Sequence, residues 1–422
     1  MSEWKRYKLG ELLSIKHGWA FKSENYVKDG KTALVTLRNI SEDSRFVFDV
    51  NKTTYYGGEY PEEYNLNEGD LIIPLTEQVV GLLGNSAFVP NFGDIKFVLN
   101  QRVGKVQEKY EKIDKIFLKY LLSTTTVRTQ MEYRASGTKQ RNISPKDIYD
   151  IEVYIPELVI QKYIGRILYN LDKKIQINNQ INQELEAMAK TLYDYWFVQF
   201  DFPDQNGKPY KSSGGKMVYN PDLKREIPEG WGVDSLWNIA NFYNGLAMQK
   251  YRPDTNEDDY IPVIKIREMM NGFSKDTEKA RLDIPIEAVV ERGDILFSWS
   301  ATLEVIIWGK ERGALNQHIF KVTSDTYPKS FIYFELKSYL KVFKAIAELR
   351  KTTMGHITQD HLKQAKIVVP PIELISKLDA KLQPIMLKQQ ILENQNQELT
   401  QLRDWLLPML MNGQVKVENF TD

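Results

Sequence analysis

Apolar positions form the same long seam twice. From Ile164, alternating steps of four and three residues reach Leu168, Leu171, Ile175, Asn178, Asn182, Leu185, Ala189, Leu192 and Trp196, and eight of these ten positions are apolar. From Leu378 the same stepping runs through Gln389, Asn396 and Arg403 to Leu410, with seven of ten apolar where composition alone predicts about four. The residues between are mostly Gln, Asn, Lys and Glu, as a solvated face requires. The pattern predicts two helices of about 40 residues, each spanning on the order of 60 Å, packed along their length. Neither has a partner inside its own half, so the simplest arrangement pairs them with each other. Asn182 and Asn396 either fix the register of that pairing or are ordinary wet positions near a helix end. Pro384, where the first helix has Asn170, is expected to kink the second helix or delay its start.

The segments ahead of each seam read as short strands. ALVTLRNI (33–40), GDLIIP (69–74) and IKFVLNQRVGKV (95–106) are rich in apolar and β-branched residues and bounded by Gly, Asn and Asp. Short helices interrupt them: KIFLKYLLS (115–123) has helical spacing, and Ser144 before Pro145 reads as an N-cap followed by a first-turn proline. FIYFELKSYL (331–340) reads as an amphipathic helix. Residues 201–231, rich in Gly, Pro, Ser and Asn, read as a linker over the surface. VQFDF (198–202) and the C-terminal tail read as short alternating strands after each helix.

These elements recur in one order. Trp4, Leu9, Leu12 and Gly18 match Trp231, Leu236, Ile239 and Gly245 at an offset of 227. VTLRNI (35–40) matches IKIREM (264–269), with Arg38 opposite Arg267. EGDLII (68–73) matches RGDILF (292–297), LNQRVGKV (99–106) matches LNQHIFKV (315–322), and ISPKDI (143–148) matches ITQDHL (357–362). NQEL occurs at 182–185 and again at 396–399. A preserved order with a slowly drifting offset is the mark of a duplication, with small loop insertions.

Composition narrows the chemistry. Lys and Arg number 56 and Asp and Glu 56, so a general grip on polyanions is not expected, although local patches remain open. Cysteine is absent, which excludes disulfides, thiolate metal sites and cysteine nucleophiles and favours a cytoplasmic setting. No apolar run reaches the roughly 18 residues of a membrane span, and the N-terminus lacks the order of a signal peptide. None of the four histidines, His17, His318, His356 and His361, has metal-pair spacing. No dinucleotide loop, P-loop or nucleophile elbow is present. One nuclease-like pattern stands out, Asp325 ahead of Glu335-Leu336-Lys337. On a helix Glu335 and Lys337 diverge, and the repeat places Lys119 opposite Glu335. What remains is two similar modules, each tied to a long helix, which suits a ligand with two recognition points such as DNA.

The residues resemble those of the specificity (S) subunit of Type I restriction–modification systems. The resemblance is carried by WKRYKLGEL with HGWAF, the paired GDLII and GDILF strands, and the two LNQ segments. IPELVIQKYIGRILYNLDKKIQINNQIN leading into LYDYWFVQFDFP, and the phrase REIPEGW, extend it over essentially the whole chain. It implies an α+β fold, with two duplicated mixed β/α target-recognition domains separated by an antiparallel two-helix coiled coil in pseudo-twofold arrangement. The domains would be 1–156 and 231–370, the helices 157–200 and 371–412, the linker 201–230 and the tail 413–422. Each recognition domain would read one half of a bipartite double-stranded DNA target, with the coiled coil setting the spacing. Two DNA-methyltransferase (M) subunits and restriction/translocase (R) subunits would be the partners. S-adenosylmethionine, ATP and Mg are expected on those partners and no cofactor, metal or catalytic residue in this chain. The DNA-facing candidates are Arg38, Thr76, Gln78, Lys139, Gln140, Arg141, Arg267, Trp299, Ser300 and His356. Arg and Gln among them can make bidentate contacts with base edges. Alternatives are a Type IIB-like specificity subunit, a self-contained metal-dependent nuclease built on Asp325 and Glu335, and a coiled-coil scaffold.

Overall fold

The computed structural model describes residues 4–77, 81–109, 111–137, 140–254, 259–349 and 356–415. It divides into two compact units, Met1–Ile175 with Glu398–Asp422, and Gln176–Gln397.

In the first unit a four-stranded antiparallel sheet runs in the order Leu13–His17, Val103–Glu108, Leu71–Pro74, Ala87–Phe88. The central strand Leu71–Pro74 is buried on both faces. Side chains alternate along a strand, so Leu71 and Ile73 enter one core with Leu9, Phe117 and Ile164, while Ile72 enters another with Val35, Phe97 and Leu99. This double burial is why the stretch reads as a continuous apolar run. The second core belongs to a sheet in the order Tyr26–Val27, Tyr55–Tyr56, Thr32–Val35, Lys96–Leu99, Asn65–Leu66, whose Thr32–Val35 and Lys96–Leu99 pair is parallel. Lys5–Lys8 pairs antiparallel with Glu152–Ile155 and closes the domain.

The second unit repeats the order of the four-stranded sheet, but its second sheet has four strands where the first unit has five, with no counterpart of Tyr26–Val27. Its four-stranded sheet runs Asn241–Asn244, Ile319–Thr323, Ile295–Ser298, Glu304–Ile307. Ile295 and Phe297 enter one core and Leu296 another. Tyr260–Ile264 and Gly313–Leu315 form the parallel pair, and Gly232–Ser235 with Lys366–Val369 the closing pair. The helix pair Lys115–Leu122 and Thr125–Arg134 of the first unit is replaced by one helix, Lys329–Leu349.

The long helices are Leu158–Tyr193 and Ile372–Met411. In the second unit Asn178 and Asn179 meet Asn396 at 3.0 and 2.7 Å, and Gln389 reaches the Asn182 carbonyl and Glu186 at 3.3 and 3.2 Å. Partner numbers fall as the first helix advances, so the helices run antiparallel. Asn396 bridges the seam through its side chain, whereas Asn182 joins through its backbone. In the first unit Arg403 meets Asp172.

Three local expectations are corrected. The second helix starts at Ile372 and runs unbroken through Pro384, so the proline does not delay it. Residues 198–202 are not a strand: the first helix widens into a π-turn at Asp194–Val198 and ends with the Asp201 N–H on the Tyr195 carbonyl, Phe200 taking φ 68°. A left-handed residue there is a usual helix stop, and the steric cost of about 1–2 kcal/mol for a non-glycine residue is offset by burying Phe200 with Ile227 and Val368. Residues 201–230 are not a bare linker. Met217–Asn220 pairs with Arg225–Pro228, and Phe202 stacks on Tyr210 within the second unit's core. The tail beyond Val415 lies outside the described residues.

Candidate nucleic-acid interface

The recurring LNQ segment is first a packing device. Gly18 and Gly245 lie against the backbone of Asn100 and Asn316: an added Cβ would sit 2.0 and 2.2 Å from the respective carbonyl oxygens. The Trp19 N–H bonds the Leu99 carbonyl and the Leu246 N–H the Leu315 carbonyl, both at 2.9 Å. Asn100 and Asn316 are buried. The repeated residues therefore hold the second sheet against the first in each unit.

Beside this framework lie the candidate loops. In the first unit, Arg141–Asn142 pairs antiparallel with Thr76–Glu77. The Arg141 guanidinium donates through Nε to Glu77 Oε1 at 2.6 Å, and its Nη2 contacts the same oxygen. Glu77 is 1% exposed, and its Oε2 accepts the backbone N–H groups of Gly81, Leu82 and Leu83 at 3.2, 3.0 and 3.0 Å. Asn142 Oδ1 accepts from the Thr76 hydroxyl at 2.9 Å and from the Gln140 amide at 3.2 Å. Thr76 is buried by this pairing, so its hydroxyl does not face solvent, contrary to the expectation of a DNA-facing residue. Gln78 and Lys139 lie outside the described residues.

In the second unit, Trp299 is half-buried and donates through Nε1 to Asn244 Oδ1 at 2.9 Å. Its ring packs between His318 and His356, with centroids 5.5 and 5.4 Å away. Ser300 is buried beneath the turn, again contrary to expectation. The Ile357 N–H bonds the Trp299 carbonyl as the Ile143 N–H bonds that of Leu75, so the loops are equivalent in position and differ in side chains.

Arg38 and Arg267 sit in the helical turns that follow the parallel strand of each unit, Leu37–Asn39 and Ile266–Asn271. Arg267 is held at 2.6 Å by the buried Glu268, which raises the guanidinium above its ordinary pKa. Its counterpart turn carries the neutral Asn39, and Arg38 is exposed with no side-chain bond to any described residue. The trio that suggested a nuclease is pulled apart. Asp325 accepts from Asn241, Lys337 reaches Glu304, and Glu335 accepts the Tyr193 hydroxyl at 2.5 Å. Burial raises the Glu335 pKa to about 7. Among the described residues no group of three His, Asp or Glu is placed to hold a metal ion, and no helix is long and apolar enough to cross a membrane.

Glu77, Asn142, Asn244 and His318 were missed as neighbours of the candidate side chains. The one available signal was the repeat, which sets Ala301 against Glu77.

The model of the Type I restriction modification DNA specificity domain matches residues 1–187 and 228–401. The specificity subunit of the Type I restriction enzyme MjaIX of Methanocaldococcus jannaschii is 26% identical, over 72% of this chain and 69% of that protein. That of HindI from Haemophilus influenzae is 23% identical over 98% of this chain and 100% of the relative. The crystal structure of a Type I restriction–modification S subunit from M. genitalium shares the fold, with a TM-score of 0.58 at 15% identity over 99% of this chain and 97% of that one.

Proposed function

The chain belongs to the Type I restriction modification DNA specificity family, and on that premise we propose that it is the sequence-reading subunit of such a complex, each unit reading one half of a bipartite duplex target. The observation that carries this reading is the duplication itself. One framework, with the same order in the four-stranded sheet and the same glycine-to-LNQ contact, presents different side chains at the equivalent loops. Two readers with a common scaffold and distinct surfaces suit a target with two unlike halves.

Phosphate and base contacts divide among the exposed and half-exposed candidates. Arg38 and Arg267 suit backbone phosphates, which position a protein without carrying sequence information. Arg141 and Gln140 in the first unit, and Trp299 and His356 in the second, suit base edges. The paired long helices set the separation of the two half-sites and dock two methyltransferase subunits, with restriction/translocase subunits completing the complex. S-adenosylmethionine, ATP and Mg belong to those subunits, and this chain contributes recognition and no catalytic residue. A cytoplasmic setting follows from that role. The engagement of Glu335 by Tyr193, and the divergence of Lys337 toward Glu304, weigh against the nuclease reading.

The test is a binding assay of the chain with its methyltransferase partner on duplexes carrying randomised half-sites. A bipartite consensus with a fixed gap is expected. Equal binding to every sequence would remove the reading.

A further inference from the structure

We propose that Arg141 reads a guanine in the half-site taken by the first unit, and that Glu77 is the positioning residue that aims it. The proposal rests on the DNA-reading role above and goes further by naming the base and the device.

A guanidinium carries its N–H donors in one plane. Glu77 Oε1 engages the Nε–Nη2 side of Arg141, at 2.6 Å from Nε, and Nη1 makes no bond to any described residue. Among the described residues, none bonds the edge formed by Nη1 and the outer N–H of Nη2. It presents two parallel donors. In the major groove guanine offers two adjacent acceptors, N7 and O6, whereas adenine sets a donor beside its acceptor. An edge of two donors therefore selects guanine.

The aim of that edge is fixed from behind. Glu77 is buried, and its other oxygen is held by three successive backbone N–H groups, those of Gly81, Leu82 and Leu83. A carboxylate anchored on both oxygens cannot swing, so the arginine it holds is ordered before DNA arrives and loses little freedom on binding. The Arg141 side chain is 24% exposed, whereas Glu77 is buried. The neighbours of Arg141 are less suited to the task. Reading adenine requires an amide to accept and donate together, but Asn142 Oδ1 is engaged by Thr76 and Gln140, and the Gln140 amide nitrogen is engaged by Asn142.

The repeat supplies an independent argument. Framework contacts are kept in both units, as Gly18 and Gly245 show. In sequence register, however, Glu77 faces Ala301 and Arg141 faces Gly355, so the acid and the base are absent together from the second unit. A pair belonging to the shared framework would be present twice. A pair that reads one half of an asymmetric target is needed once.

The experiment is methylome sequencing of a host carrying the full system with the wild-type chain, Arg141→Lys, Glu77→Gln or both. Lysine keeps the charge opposite Glu77 but has no planar two-donor edge. The expected result is a bipartite wild-type motif in which one G·C position of one half loses about tenfold to a hundredfold of its preference in each variant. The other half should stay unchanged, and the double variant should be no worse than either single one. A Glu77→Gln chain that lowers methylation everywhere without relaxing any base assigns Glu77 to the scaffold and overturns its positioning role. A bipartite wild-type motif left intact by Arg141→Lys overturns the proposal alone. Loss of all methylation in both single variants also overturns it, because the pair would then hold the fold. A wild type with no bipartite motif removes the functional reading, and the proposal with it.

Discussion

Arg403 donates to Asp172 Oδ1 at 2.9 Å, tying the second long helix to the first across 231 positions of sequence. The other carboxylate oxygen accepts from Lys119 at 2.9 Å and from the Tyr120 hydroxyl at 2.7 Å. One buried carboxylate thus joins three helices of the first unit. Removing it leaves two cations under-compensated, so Asp172→Ala should destabilise this unit by about 3–5 kcal/mol. Arg403→Ala should cost less, because Lys119 remains as partner. Chemical denaturation of the two variants checks the order.

The same carboxylate gives a pH dependence. Burial alone would raise its pKa, but the Lys119 charge and the bonds from Tyr120, Arg403 and Lys119 outweigh burial and hold it below the ordinary value. A depressed folded pKa means stability present above the unfolded value, near 4, and lost as pH falls through the folded one. Acid unfolding of the first unit should begin below about pH 4, and Asp172→Asn should flatten that limb.

Glu335 carries the opposite sign. Burial is the largest cause of its rise to about 7, and the bond from Tyr193 only partly opposes it. Between the unfolded value near 4.3 and about 7, the folded state keeps a proton that the unfolded state releases, so stability falls as pH rises through this window. Glu335→Gln should remove the slope and raise the melting temperature at pH 8. It should leave DNA binding unchanged, and a nuclease built on Glu335 would instead show metal-dependent cleavage that this variant loses.

Gly18→Ala and Gly245→Ala test the shared framework. Each added methyl group would overlap a backbone carbonyl at 2.0 or 2.2 Å. Each should destabilise its own unit by about 3 kcal/mol or more. Proteolysis fragments should show the damage confined to that unit.

Arg38 and Arg267 should act as phosphate contacts. Replacing Arg38 by Ala should lower the slope of log affinity against log salt by about 0.9 and weaken all sequences alike. Arg267→Ala should do the same and also release the buried Glu268, adding a loss of stability that Arg38→Ala does not show. A change in base preference would count against phosphate contact.

The proposed spacing role predicts a measurable shift. Deleting one heptad from each long helix removes about 10 Å, close to three base pairs at 3.4 Å each. The gap in the preferred motif should shorten by that amount. An unchanged gap would show that the helices do not set it.

Much of the fold was legible in the sequence because its signals are local and repeated. Ile164, Leu168, Leu378 and Leu382 keep the helix period, and the buried strands Leu71–Pro74 and Ile295–Ser298 keep continuous apolar runs. The paired LNQ segments revealed the duplication without revealing that their glycine partners, Gly18 and Gly245, explain it. The strand expected at 198–202 failed because a left-handed Phe200 is stabilised by burial against Ile227 and Val368, which lie far away in sequence. Leu75 and Trp299 accept equivalent backbone bonds, from Ile143 and Ile357, but the candidate residues Thr76 and Ser300 are buried.

The sequence by itself determined the duplicated order of elements, the two long helices and the absence of cysteine chemistry, since periodicity and composition are properties of the chain alone. Only the tertiary structure decided which charges are available to a ligand. Arg267 is held by the buried Glu268, whereas Arg38, followed by the neutral Asn39, has no side-chain bond to any described residue. Arg141 is aimed because a carboxylate 64 positions away is buried behind it. Charge can be read from residue type, but solvent access and hydrogen-bond partners exist only once distant segments are brought together.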